Sequence, residues 1–443
     1  MQKFLLPILL ITSLFAAGEA GAIFLLIAPG AKSQGMGEAM VANTGTSLMS
    51  YYNPAALSFL NSNSISMSYV NWQPNMPNIY GNDIYHRFIS LNYKYNEKHS
   101  FGVYYINLNL GRFDDDEKYM SAVSISYAVR LSKISSIGLN AKYVYQNIGY
   151  DVVNGEYVSE NTAYDLSYFR QINNISFGMQ LANMGSTIQF SSFSLEEQED
   201  PAPTNLSLGL AYKLDIDETS KIKLLFQADK LLVTRYQMMD WDGDGYVGGY
   251  DEYGSWISEK VGEYNIDGKK EYDRKGYFDD PWYLAIFTAW LDDWYLGGDI
   301  DYDGDAKIGG WTWDETMDMD GDGEPDIDEL VEDESGVYGK CYNYEVCLEK
   351  GTGDNRSFKK ELEEMTFKYG IEYNFIEKTF LRIGYIHDFE GKIFSPTFGF
   401  GFAIENLMLD YGYTGGKRGD YRENTHYFSL EYKLPSVTSK IKQ

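Results

Sequence analysis

Three short runs near the middle of the chain alternate carboxylates with uncharged residues. They read Asp240-Trp-Asp242-Gly-Asp244-Gly245, Asp299-Ile-Asp301-Tyr-Asp303-Gly-Asp305 and Asp318-Met-Asp320-Gly-Asp322-Gly323. Carboxylates at every second position, with a Gly to allow a sharp turn, fold oxygen ligands around one hard cation, Ca²⁺ above all. In a twelve-residue loop register, the first run offers Asp240, Asp242 and Asp244 at its first, third and fifth places. Tyr246 would add a backbone carbonyl, and Asp251 would close the loop. The third run offers Asp318, Asp320 and Asp322, then the Glu324 carbonyl, Asp326 and the closing Glu329. These two loops are expected to bind calcium. The middle run is a degenerate copy, with Ala306 in place of the turn Gly and Thr312 in place of the closing carboxylate. Asp299 would compensate there beside Asp301, Asp303 and Asp305, making a third, imperfect site.

The loops share one segment, residues 236–360, which reads as an inserted domain. Residues 236–355 hold 33 Asp and Glu against 8 Lys and Arg, and so carry −25 of the chain's formal −28. Seven of the 8 Trp also fall here, at 241, 256, 282, 290, 294, 311 and 313. A solvated acidic linker would not carry them, so a small core locked by metal is expected, with exposed Trp contacting carbohydrate or a partner as the other reading. Cys341 and Cys347 stand at the end of the insert; in an exported protein such a close pair is most simply a local disulfide. The loops are EF-hand-like. Closing with Asp251 rather than Glu resembles dockerin loops, and Pro325 at the apolar place of the third loop is similar to thrombospondin type 3 repeats.

So acidic a balance argues against nucleic acid as a partner, because phosphate binding needs a basic face. Residues 1–20 read as a secretory signal peptide: Lys3, an apolar stretch over 4–15, then small residues with cleavage expected near Gly18 or Ala20. No internal apolar run approaches the ~18 residues that a membrane helix needs. The four histidines, His86, His99, His387 and His426, are scattered. No G-x-S-x-G elbow, H-E-x-x-H or phosphate loop appears, so a non-enzyme is expected.

The elements flanking the insert are strands. The chain has 39 Tyr and 43 Gly, a composition that suits transmembrane β-barrels with aromatic girdles. In 365–375, Phe367, Tyr369, Ile371, Tyr373 and Phe375 alternate with Thr366, Lys368, Gly370, Glu372 and Asn374. The first set would face lipid and the second a polar lumen. Ile137, Leu139, Ala141, Tyr143 and Tyr145 repeat the pattern, as do Phe428, Leu430, Tyr432 and Leu434. About fourteen strands follow, near 64–72, 85–95, 99–110, 119–131, 135–148, 161–171, 175–184, 204–214, 220–232, 363–376, 379–390, 395–405, 407–415 and 424–434. The expected fold is therefore all-β, a fourteen-stranded antiparallel transmembrane barrel in the outer membrane, surrounded by lipid. Short turns follow even strands and mostly longer loops follow odd ones, so the insert, after the ninth strand, should face the exterior. The barrel would take residues 63–235 and 361–434, with 435–443 as a periplasmic tail.

Residues 21–62 precede the barrel and carry Phe24-Leu25, Pro29-Gly30-Ala31, Gly35-Met36-Gly37-Glu38-Ala39 and Asn53-Pro54-Ala55. This segment resembles the PorV/PorQ family of type IX secretion, a branch of the FadL-type fatty-acid transporter superfamily. The resemblance implies a fourteen-stranded barrel with residues 21–62 folded inside as a plug or hatch, where Gly35, Met36, Gly37, Asn53, Pro54 and Ala55 would pack. PorV-like members imply partners among secretion cargo and translocon subunits; FadL-like members imply a hydrophobic ligand in the lumen. A structural surface or adhesion protein is the third expectation. The acidic insert departs from the family pattern.

Overall fold

Period-two alternation over eight to a dozen residues cannot be satisfied by an isolated strand, because each backbone edge must find a partner where no water reaches. In the computed structural model the strands solve this by closing on themselves. The structure describes residues 20–72, 84–113, 116–151, 155–190, 200–233, 235–236, 239–240, 278–291, 299–300, 309–321, 323–333, 336–341, 345–348, 358–389, 391–416 and 423–435. The signal-peptide expectation lies outside these residues.

Fourteen antiparallel strands form one closed barrel. Numbered by their place in the wall, they are β1 Ser64–Asn71, β2 Tyr85–Lys94, β3 His99–Phe113, β4 Asp116–Arg130, β5 Ser135–Asp151, β6 Gly155–Ile172 and β7 Ile175–Gly185. The others are β8 Asn205–Asp215, β9 Ser220–Leu231, β10 Thr366–Phe375, β11 Thr379–Asp388, β12 Ile393–Ile404, β13 Leu407–Thr414 and β14 Thr425–Lys433. β1 closes on β14, from Ser64 opposite Lys433 to Val70 opposite Tyr427. β9 pairs directly with β10, from Ser220 opposite Phe375 to Asp229 opposite Thr366, so the wall is continuous across the intervening segment. Contacts divide the chain into two compact units, Thr234–Leu362 and the remainder.

The expected faces are the observed ones. Tyr369, Ile371, Leu139, Tyr143 and Phe428 are exposed on the outer wall, while Glu372, Asn140, Lys142 and Glu431 are buried within. β3 to β6 run 15 to 18 residues, whereas a tilted strand needs only about 9–11 to cross a bilayer. Strand fills most of the gaps left between the expected strands 99–110 and 119–131 and between 135–148 and 161–171. β3 runs on past its last partner in β2, Asn109 opposite Tyr85, and β6 begins before its first partner in β7, Ala163 opposite Gly185, so the surplus projects at the end from which the acidic segment leaves. Register shifts at Asn109/Gly111 and Asn147/Gly149 mark that projection, as bulges do at barrel rims.

Within the second unit, three antiparallel strands pair in the order Val331–Glu332, Trp311–Thr312, Tyr338–Cys341, and the last pairs with Glu345–Leu348. A short helix spans Trp282–Thr288. Ala285, Ala289 and Leu330 are buried, but Trp282 is exposed and Trp290, Trp311 and Trp313 are half-buried. Trp241, Trp256 and Trp294 lie outside the described residues. The described tryptophans thus contribute less to a core than their number suggests.

Candidate functional site: the filled lumen and the acidic loop

Residues 20–60 lie inside the barrel. The segment starts at the long-loop end, where the Gly21 amide donates to the Pro201 carbonyl at 2.9 Å. It ends near the short turns, where the Arg130 guanidinium donates to the Ser58 carbonyl at 2.7 Å. Its apolar residues make the inner core: Phe24, Met36, Met40, Met49 and Leu57 are fully buried, against wall residues Phe88, Tyr104, Ile106 and Leu108. Each such side chain stabilises by about 1.5–3 kcal/mol, so packing is the main force holding the segment in place.

Close approach needs a wall without side chains. A Cβ at Gly384 would lie 2.1 Å from the Gly37 nitrogen, one at Gly138 2.2 Å from the Ala55 nitrogen, and one at Gly178 2.0 Å from the Val41 oxygen. Gly35 faces Gly399, its own Cβ position being 2.7 Å from that Cα. Gly37 also sits at φ +60°, in the left-handed region where Gly costs least. Met36 is buried against Gly370. The Asn53 side-chain amide donates to the Val41 carbonyl at 2.7 Å and to Tyr168 of the wall at 3.2 Å. Pro54 starts a 3-10 turn over Pro54–Phe59, and the Ala55 amide donates to the Ser167 hydroxyl at 2.9 Å. All six residues singled out from the sequence therefore sit at contacts between segment and wall.

A charged network adjoins this core, the two meeting at Tyr51, which packs edge-on against Phe88 and Tyr104 and lines a cavity with Lys142 and Asp229. Arg382 of β11 is buried and donates to Glu372 at 2.7 Å and to Asp410 at 2.6 Å. Lys223 and the segment's Lys32 lie 3.5 Å and 3.9 Å from Glu372. Lys368 joins the segment's Glu38 at 3.1 Å to Asp229 at 2.8 Å. Lys142 pairs with Asp165 at 2.7 Å. A cavity of about 200 Å³ sits among Glu38, Tyr51, Lys142, Asp229 and Lys368. The alternation places Lys368 and Glu372 in the lumen; it singles out neither Arg382 nor Asp410. Glu372 lies directly opposite Arg382 on the neighbouring β10, whereas Asp410 is two strands away on β13 and reaches Arg382 across Gly401 of β12.

The third acidic loop is the one whose geometry is described. Ligand atoms of Asp318, Asp320 and Glu329 all lie within 4.8 Å of one another. The Gly321 and Gly323 amides donate to the two Asp318 carboxylate oxygens at 2.6 and 3.0 Å. Gly323, at φ +81°, supplies the turn. The nearly buried Glu329 accepts from the Met319 amide at 2.6 Å and from the Trp313 indole at 2.9 Å. These bonds, the Met319 amide first, hold its carboxyl below the usual range. Three carboxylates converging on one point, with one locked by an indole, make a donor set that fits a hard divalent cation. Glu324 and Asp326 flank this cluster, and Asp322 lies outside the described residues.

In the first loop, Met239–Asp240 pairs with Asp299–Ile300, which sets Asp240 opposite Asp299. Asp242, Asp244, Tyr246, Asp251, Asp301, Asp303 and Asp305 lie outside the described residues. The Cys341 backbone lies opposite Glu345, and Cys347 opposite Gly339; the two side chains fall outside the description. Among the histidines, His99 and His426 hydrogen-bond Tyr127 and Tyr411, at 2.8 and 2.7 Å. His387 meets Phe394 edge-on, and His86 is buried.

Residues 17–238, half of the chain, match the family model described as Type IX secretion system protein PorV. The chain belongs to the PorV family. It is an outer-membrane β-barrel. No curated protein matches. Solved structures similar to this PorV-family chain include the toluene transporter TbuX of Ralstonia pickettii, at 11% identity and TM-score 0.45, covering 93% of this chain and 100% of that one. The FadL homologue of Pseudomonas aeruginosa is similar at 9% identity and TM-score 0.39, covering 92% and 98%. The barrel assignment here rests on the strand pairing itself.

Proposed function

We propose that this PorV-family barrel is a non-enzymatic component of type IX secretion that binds cargo or a neighbouring subunit on its extracellular side. The observation that carries this reading is the family match together with a lumen filled by residues 20–60. A barrel occupied by its own packed segment, with charged groups around the remaining cavity, is suited to act through its outer surface rather than as a conduit for apolar solutes. The longest connections between wall strands, 72–84, 186–204 and 232–365, all leave from one end of the wall, which favours an external position for Thr234–Leu362. Calcium binding by the loops would give that unit its fold and its binding surface, since metal binding at a site absent from the unfolded chain adds directly to folding free energy. A FadL-like channel for hydrophobic solutes is the second reading; displacement of Tyr51 would uncover the aromatic wall at Phe88 and Tyr104.

A photo-crosslinker placed in the acidic unit of cells bearing the whole protein tests the reading. Capture of exported proteins that share a C-terminal sorting domain, lost on chelation, is expected. Capture of lipid alone, with or without calcium, would oppose it.

Calcium itself is tested on the purified protein. Adding Ca²⁺ should protect the acidic unit from protease and change its Trp emission, through Trp313 beside Glu329. Glu329→Gln should weaken the calcium response at least tenfold. An unchanged emission and digestion pattern across chelation would end the calcium reading.

A further inference from the structure

The outer wall across β12, β13, β14, β1 and β2 carries a groove of about 660 Å³. That is within the size class of small-molecule sites, roughly 300–1,000 Å³. Strand register orders its rim into rows. Phe400 lies opposite Tyr411, Tyr411 opposite Phe428, Phe428 opposite Tyr69, and Tyr69 opposite Arg87. Two residues toward the short turns, a parallel row runs from Phe402 through Leu409 and Leu430 to Met67 and Ile89. Between the rows the inward-facing Ser68 and Ser429 leave only backbone on the outside, so the floor is shallow and the slot stays open.

Polarity rises along the strands. The lower row is wholly apolar. The middle row is aromatic and ends in the exposed guanidinium of Arg87, which lies 4.1 Å over the Tyr85 ring. Tyr85 in turn stacks on Tyr69. The next row, toward the long loops, holds Tyr413 opposite His426 and Asn71 opposite Tyr85. Among the described residues no carboxylate pairs with Arg87. An unpaired Arg on a lipid-facing wall, at the level where aromatic side chains give way to hydrogen-bonding ones, sits where phosphate headgroups lie.

We infer that this groove binds a phosphate-bearing lipid of the leaflet at the long-loop end, with an acyl chain between the two rows and the phosphate on Arg87. The sequence of apolar, aromatic-cationic and polar rows matches an amphiphile lying along the strands, and a free anion would use only the last part of it. The guanidinium would hold phosphate oxygens through charge-assisted hydrogen bonds, and Tyr69 and Tyr85 would wall the headgroup end. The leaflet follows from the proposed orientation; the groove and its gradient do not.

Native mass spectrometry of the full chain in detergent tests this, using lipid A, a diacylglycerol and inorganic phosphate as probes. The wild-type protein should retain lipid A at least tenfold better than diacylglycerol and should not bind phosphate alone. Arg87→Gln should lose that discrimination while keeping the heat-modifiable gel mobility of a folded barrel. Leu409→Trp, which fills the slot, should lose both lipids. Retained headgroup discrimination in Arg87→Gln would overturn the inference. So would equal retention of lipid A and diacylglycerol by the wild type, binding of phosphate alone, or a groove occupied only by a co-purifying protein.

Discussion

Replacing Arg382 with Met should destabilise the barrel by about 3–5 kcal/mol, because it strands a buried carboxylate without its cation. Arg382 is the partner of both Glu372 and Asp410. After the change Glu372 keeps Lys223 at 3.5 Å, but Asp410 has no other cation among the described ion pairs. Asp410 is then buried without a cation, and the loss should fall mainly on β11 to β13. Urea unfolding in detergent, followed by gel mobility, reads the effect. The double variant Arg382→Met with Asp410→Asn should recover much of the loss, since no uncompensated charge is left at Asp410. An unshifted midpoint for the single variant would show that the network contributes nothing to stability.

Gly178→Val should separate the barrel from its filling. The new Cβ would lie 2.0 Å from the Val41 oxygen, which is backbone and cannot swing aside. Forced overpacking of this kind costs about 1–3 kcal/mol even where neighbours adjust. The wall itself gains a β-branched residue suited to a strand. The expected product is a closed barrel whose inner segment is partly displaced. Limited proteolysis should then cut within residues 30–60, which the wild-type lumen protects, and a Cys introduced at Ser50 should become reactive to a membrane-impermeant reagent. Protection equal to wild type would show that the inner segment does not depend on this contact.

How much was legible in the sequence follows from where each signal is local. The strands were readable because each carries its own alternation: 365–375 names both its faces without reference to any other strand. The inner segment was readable through Gly35-Met36-Gly37 and Asn53-Pro54-Ala55, which matched a family pattern. Its partners were not, because Gly138, Gly178 and Gly384 look like ordinary lumen positions until a second backbone is placed against them. A glycine inside a strand does signal close approach, and that rule would have flagged them. The ionic network is half readable: alternation turns Lys368 and Glu372 inward, and Arg382 faces Glu372 in the β10–β11 hairpin, while the meetings with Glu38 and Asp410 need the inner segment and β13 in place. The third acidic loop is legible in its spacing alone, and in the structure ligand atoms of Asp318, Asp320 and Glu329 lie within 4.8 Å of one another. Trp313 was expected in a general core; its role as a hydrogen-bond donor to Glu329 is a tertiary fact with no sequence periodicity behind it.

The central claim is that this PorV-family barrel serves protein export rather than solute uptake. Deleting the gene and comparing secreted and surface proteomes tests it most directly. The account predicts coordinated loss of a set of proteins that share a C-terminal sorting domain, restored by the wild-type gene. An unchanged surface proteome, accompanied by impaired growth on a hydrophobic carbon source, would contradict it.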